Sequence, residues 1–209
     1  EYGLAQDQPQ VWREQLRSIA QSQERASHLI DQLLALALAE EAEQALQPQR
    51  VALDEVVRDT LMRHLHRADA LGVDLGARGL DAPVWVLAQR ALLEGVLDNL
   101  IDNALRYGLA PAGQQRHVTV EVAHDPQTRQ VVLSVLDNGP GITEAQRARV
   151  LSRWGQGSAG EALKQGSGLG LAIVSEYARI LGATLTLGTG DEGRGLKVSL
   201  GFADQPSVG

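Results

Sequence analysis

Two asparagines and an arginine fall at helical spacing in the stretch Glu94–Tyr107, EGVLDNLIDNALRY. Asn99, Asn103 and Arg106 lie at steps of four and three, so they share one helix face. Asparagine is a mediocre helix former, and two stacked on one face point to a site. An amide oxygen suits a hard cation, and Mg²⁺ takes few protein ligands, completing its shell with waters and phosphates. Arg106, one turn on from Asn103, is placed to reach those phosphates. A second stretch, Asp137-Asn138-Gly139-Pro140-Gly141-Ile142, closes an apolar run. Its aspartate can accept a hydrogen bond from an exocyclic amine, and its glycines let backbone approach a flat base. In the third, Gly166, Gly168 and Gly170 alternate with Ser167 and Leu169, then Leu171, Val174, Ala178 and Leu181 continue at helical spacing. A glycine loop feeding a helix start presents N–H groups at the positive end of the helix dipole, which suits phosphate. Each stretch alone also fits a bland account: a solvated helix face, a good turn, a tight strand–helix corner. Three in this order do not.

The elements that must position these residues follow from periodicity. Residues 10–45 hold no Pro or Gly, and Trp12, Leu16, Ile19, Gln23, Ala26, Ile30, Leu33 and Ala37 form an a/d seam widened by Leu29 and Leu36. That predicts a long bundle-forming helix, which Pro48 ends. A strand over Arg50–Leu53 and a helix over Asp54–Leu71 follow, with Val56, Val57, Leu61 and Leu65 inward. Short strands are expected at Val73–Leu75 and Val84–Leu87, then a helix over Ala88–Tyr107 with Leu92, Val96, Leu100 and Leu105 on its apolar side. Val118, Val120 and Val122 alternate with polar residues and pair through the turn Asp125–Arg129 with Val131–Leu136. That second strand is apolar on both faces and therefore central. Thr143 is a candidate N-cap for a short helix reaching Val150. Ser152–Gln165 reads as a long lid loop or a disordered one. A last hairpin pairs Ala183–Leu187 with Leu196–Phe202. Segregated strands and helices give an α+β fold, a two-layer α/β sandwich.

Composition narrows the classes. At 209 residues with 44% hydrophobic content the chain can bury one good-sized core plus an appendage. A net charge of −7 argues against a nucleic-acid surface, and the absence of cysteine rules out a disulfide framework or a thiolate metal site. No run is apolar enough to cross a bilayer. His64 and His66, two apart on one helix, point to different faces and make a poor metal pair.

Together the three stretches resemble the catalytic and ATP-binding domain of sensor histidine kinases, in the superfamily shared with type II topoisomerases, heat-shock chaperones and mismatch-repair ATPases. NLIDNALRYG resembles the N box, DNGPGI the G1 box, LSRWGQG a variant F box and GSGLGLAIV the G2 box. The likeness spans Pro48 to Phe202. It implies ATP as nucleotide, Mg²⁺ held by Asn103, and Asn99 supporting the site. Arg106 and Tyr107 would border phosphate and sugar, and Asp137 would bind the adenine amine. Gly139, Gly141 and Ile142 would flank the base. Lys164, Gly166, Ser167, Gly168, Leu169, Gly170 and Leu171 would shape the phosphate side. Residues 1–47 resemble the second helix of a dimerisation and phosphotransfer hairpin, leaving 48–209 as the catalytic domain.

Two departures stand out. The F box often has Phe where Leu151 and Trp154 stand and a basic residue where Gln156 stands; Lys164 or Arg153 is placed to substitute. No H box is present, so the phosphoacceptor histidine is expected upstream of Glu1. The resemblance implies a kinase core that dimerises through its N-terminal helix, serves a response regulator, and forms the cytoplasmic part of an inner-membrane sensor. Superfamily ATPases place a glutamate four residues before the magnesium asparagine. Asn99 stands there and cannot act as a base, so slow hydrolysis is expected. Rival readings are a serine kinase of the same superfamily and a nucleotide-binding scaffold whose role is dimerisation.

Overall fold

In a computed structural model of the chain, residues 48–108, 113–144, 147 and 169–203 are described. Strand β1 (Gln49–Ala52) pairs antiparallel with β3 (Trp85–Ala88), and helix α1 (Leu53–Ala70) leaves β1 without a loop. Asp54 and Glu55 occupy the first turn of α1, where carboxylates favour the positive dipole end. The Leu71 N–H closes the helix onto the carbonyls of Arg67 and Ala68.

Two sequence expectations need correction here. Leu65 does not face inward but is 48% exposed. The covered face of α1 runs through Leu53, Val57, Thr60, His64 and Ala68, and at about 100° per residue that stripe leaves Leu65 outside. Ala88 does not start the following helix. It pairs with Gln49 as the end of β3, and α2 spans Arg90–Tyr107.

The main sheet has the order β2-β4-β5-β7-β6, built from β2 (Val73–Arg78), β4 (Arg116–Asp125), β5 (Gln130–Asp137), β6 (Thr184–Thr189) and β7 (Leu196–Ala203). β2 runs parallel to β4, and the other pairs are antiparallel. Parallel neighbours need a crossover; β3 and α2 supply it. β5 lies in the middle, as its two apolar faces predict. Helix α3 (Leu169–Ile180) packs beside α2. Leu93, Leu97, Ile101, Val120, Leu133, Ile173 and Leu200 share one core between helices and sheet.

The opposite face of the sheet is mixed, with Val132 and Leu136 of β5 flanking a polar row. Its register puts Arg78, Glu121, Ser134, Ser199 and Thr186 in one row across the five strands. The buried hydroxyls of Ser134 and Ser199 bond to each other at 2.9 Å. The α+β two-layer sandwich is therefore as the sequence predicts. The expected helix over 10–45 and the loop Ser152–Gln165 lie outside the described residues, as does most of Thr143–Val150. No helix among the described residues is long and apolar enough to cross a membrane.

Candidate nucleotide site

Asp137 ends the central strand, and its carboxylate is held by backbone. Oδ1 accepts the N–H of Gly139 at 2.9 Å and that of Leu196 at 3.3 Å. Among the described residues Oδ2 accepts no hydrogen bond. Burial pushes the carboxyl above its ordinary range, and the two backbone donors oppose that rise. Asn138 ties the loop to β4: its Oδ1 accepts from the His117 N–H at 3.0 Å, and its Nδ2 donates to the Gln115 carbonyl at 2.8 Å. Gly139 is buried, and Gly141 and Ile142 are half-buried beyond it.

The N-box helix meets this strand end. α2 stops at Gly108, and a Cβ built there would lie 2.9 Å from the Asp137 Cβ. From the other side, the β6–β7 turn brings Gly195 against the Asp137 backbone. Gly195 has φ +71, and a Cβ on it would overlap the Asp137 carbonyl oxygen. That combination of left-handed backbone and close approach admits glycine alone.

Gly170, in the first turn of α3, lies against Asn103 of α2. A Cβ on it would sit 2.7 Å from Asn103 Nδ2 and 3.0 Å from Oδ1. The helix start following the glycine loop thus touches the residue expected to carry the cation. Asn99, one turn earlier on α2, donates from Nδ2 to the Gly95 carbonyl at 2.8 Å. Arg106 lies with Nε 2.8 Å from Asp102 Oδ2, and Tyr107 is 61% exposed at the helix end.

Helix α2 therefore carries two parallel rails. Asn99 and Asn103 form one. Asp98 and Asp102, each one residue earlier, form the other and turn toward α1. Asp98 accepts from Arg63 at 3.1 Å and lies 2.8 Å from His64 Nε2, while Asp102 accepts from Arg67. His64 is accounted for by this packing. Among the described residues, no three His, Cys, Asp or Glu side chains group as metal ligands.

All three stretches thus converge as far as they are described: Asp137 with Gly139, Asn103 with Gly170, and Gly108 joining the two. Leu169 and Leu171 stand in the first turn of α3, with Leu171 partly buried against the core. Lys164, Gly166, Ser167 and Gly168 lie outside the described residues, as do Leu151, Arg153, Trp154 and Gln156. Sequence reasoning passed over Gly195 and Asp102. The glycine density of Gly188 to Gly195 is the signal for the first, and the repeated Asp-Asn pair in LDNLIDN for the second.

The sequence profile of the histidine kinase-, DNA gyrase B- and HSP90-like ATPases matches residues 88–206. The chain belongs to that family. Among relatives of the chain is the sensor protein kinase PmrB of Pseudomonas aeruginosa, 31% identical over 197 residues, covering 94% of this chain and 39% of PmrB. Sensor protein QseC of Escherichia coli is 29% identical over 190 residues, covering 91% of this chain and 40% of QseC. The chain thus spans about two fifths of these relatives. The solved histidine kinase AdeS of Acinetobacter baumannii superposes with a TM-score of 0.61 at 25% identity, over 90% of this chain and 83% of AdeS.

Proposed function

We propose that the chain is the ATP-binding catalytic core of a sensor histidine kinase. It passes the γ-phosphoryl group of Mg·ATP to a histidine on a dimerisation hairpin, for relay to a response regulator. In this reading residues 1–47 supply the second hairpin helix, through which two copies associate, and 48–209 the catalytic domain. The whole would be the cytoplasmic part of a membrane-anchored sensor.

The Asp137 carboxylate carries the reading. Two backbone donors fix Oδ1, and Oδ2 is left for a ligand N–H. Adenine offers an amine at that edge, where guanine offers a carbonyl that an acceptor-only carboxylate repels. Asn103 fits a magnesium ion by the chemistry of its amide oxygen and its place beside the start of α3. When bound, that ion neutralises charge on the phosphates. Arg106 and Tyr107 border phosphate and sugar, and Lys164 with the glycines from Gly166 to Gly170 shapes the phosphate side. Phosphoryl transfer then depends on positioning and charge. Asn99 favours transfer over hydrolysis: its amide takes no proton from water, and its Nδ2 is already donated to Gly95.

Calorimetry with ATP, ADP and GTP tests the nucleotide, and radiolabelled ATP with a separately made phosphotransfer hairpin tests the acceptor. ATP is expected to bind in preference to GTP, and the hairpin to gain acid-labile, base-stable phosphate. Equal affinity for GTP would remove Asp137 from the adenine edge. Acid-stable label on a serine would replace the histidine kinase with a serine kinase.

A further inference from the structure

Gln115, Arg116 and His117, where β4 begins, hold both walls of the Asp137 corner. On the loop side, Asn138 bonds the Gln115 carbonyl and the His117 N–H. On the helix side, the half-buried Arg116 side chain reaches the end of α2. Its Nη2 donates to the Leu105 carbonyl at 2.7 Å and its Nε to the Gly108 carbonyl at 3.4 Å. Carbonyls in the last turn of a helix have no partner within it, and a cation there also meets the negative dipole end. Arg116 thus caps α2 from a neighbouring strand. What it holds in place is a close backbone contact. A Cβ at Gly139 would lie 2.7 Å from the Gly108 Cα, and one at Gly108 2.9 Å from the Asp137 Cβ. Gly108 therefore packs directly on the residue whose N–H donates to the Asp137 carboxylate.

We infer that Arg116 is a positioning residue for the nucleotide base: by tying the end of α2 to β4 it keeps Gly108 pressed on Asp137 and Gly139, and so fixes the direction in which Asp137 Oδ2 meets a ligand N–H. The inference rests on the reading of Asp137 as the adenine edge. Without the guanidinium, the Leu105 and Gly108 carbonyls lose this donor and the last turn of α2 frays. Gly108 then moves off the corner, and the carboxylate is no longer held for an amine. Asn103 lies upstream in α2, against Gly170, so the magnesium response is spared. Arg116 acts on base selection through Gly108.

Calorimetry on the full 209-residue chain, well below its melting temperature, tests this with ATP, GTP and adenosine, the nucleotides with and without magnesium. Arg116→Met keeps an apolar stem and removes the donors. It should weaken ATP and adenosine alike by about tenfold, the scale of one hydrogen bond to a charged group. GTP should weaken less, so the preference for ATP narrows, while the magnesium response matches the parent's. Arg116→Lys, which returns one donor to the Leu105 carbonyl, should recover part of that preference. Gly108→Ala disturbs the same contact from its other side and should narrow the preference in the same way. Thermal melts report folding, and Gly108→Ala carries the comparison if Arg116→Met does not fold. A lower melting temperature with an unchanged preference for ATP over GTP would make Arg116 structural only and overturn the inference. So would magnesium dependence lost together with base preference, which places the effect on the whole site. A parent chain that binds ATP and GTP alike would instead remove Asp137 from the adenine edge, and this inference with it.

Discussion

Gly195 runs so close to Asp137 that no side chain fits between the β6–β7 turn and the end of the central strand. The turn is thereby part of the proposed adenine edge, since its next residue, Leu196, donates to the Asp137 carboxylate. Gly195→Ala would force a left-handed alanine, at about 1–2 kcal/mol, and push the turn off the Asp137 carbonyl. Lower thermal stability is expected, with ATP and adenosine weakened by the same factor. A melt and two titrations check it; a loss confined to ATP would place the turn near phosphate instead.

Asp137 also predicts a pH dependence. Burial raises its folded pKa above the unfolded value, so the folded state binds the proton more tightly. Its contribution to stability is then fully present below the unfolded pKa and is lost as pH rises through the folded one. Asp137→Asn should accordingly raise the melting temperature of the nucleotide-free chain near neutral pH. An amine donor favours the ionised carboxylate, so adenosine affinity should fall as pH drops through the same raised pKa. Asp137→Ala should weaken ATP about tenfold to a hundredfold, the range for a hydrogen bond to a charged group. A melting temperature that Asp137→Asn leaves unmoved across pH would contradict the burial argument.

Asn103 and Gly170 make a paired prediction. Asn103→Ala should abolish the magnesium dependence of ATP binding and leave the fold intact. Gly170→Ala adds about 1 kcal/mol of helix propensity in principle, but its Cβ would press on the Asn103 amide. The expected outcome is a magnesium response blunted as in Asn103→Ala, with no compensating loss of stability. Titrations with and without magnesium, read beside melts, decide it. Unfolding of either variant would make the contact structural.

Much of this arrangement was legible because it is local. The apolar faces of Val131–Leu136 required a central strand, and the three stretches proposed to face the nucleotide were visible as composition at fixed spacing. What escaped depends on contacts distant in sequence. Gly195 meets Asp137 only because β7 pairs beside β5. Asp102 reads as one more helix acid until Arg67, 35 residues away, is seen to face it. Leu65 was misassigned because an apolar residue near a stripe resembles one on it, and only the burial of Thr60 and His64 shows where that stripe runs.

The polar row across the sheet carries the last prediction. Burial raises the Glu121 pKa, while hydrogen bonds from Lys197 and then Arg78 lower it, leaving the carboxyl below its ordinary value. A hydrogen bond from Arg78 likewise lowers Asp191, in the turn before Gly195. Depressed carboxylates contribute stability above their unfolded pKa values and lose it as pH falls through the folded ones. Arg78→Ala removes a partner from both. The groups are partly solvated, so the expected loss near neutral pH is about 1 kcal/mol, reduced by salt. Denaturant titrations should show that difference shrinking toward zero as pH falls through the lowered pKa values of the two carboxyls. Lys197→Met should reproduce the Glu121 share and leave Asp191 paired. An Arg78→Ala deficit that stays constant through the acid range would assign the stabilisation to the packing of its aliphatic stem across β2 and β4 rather than to charge.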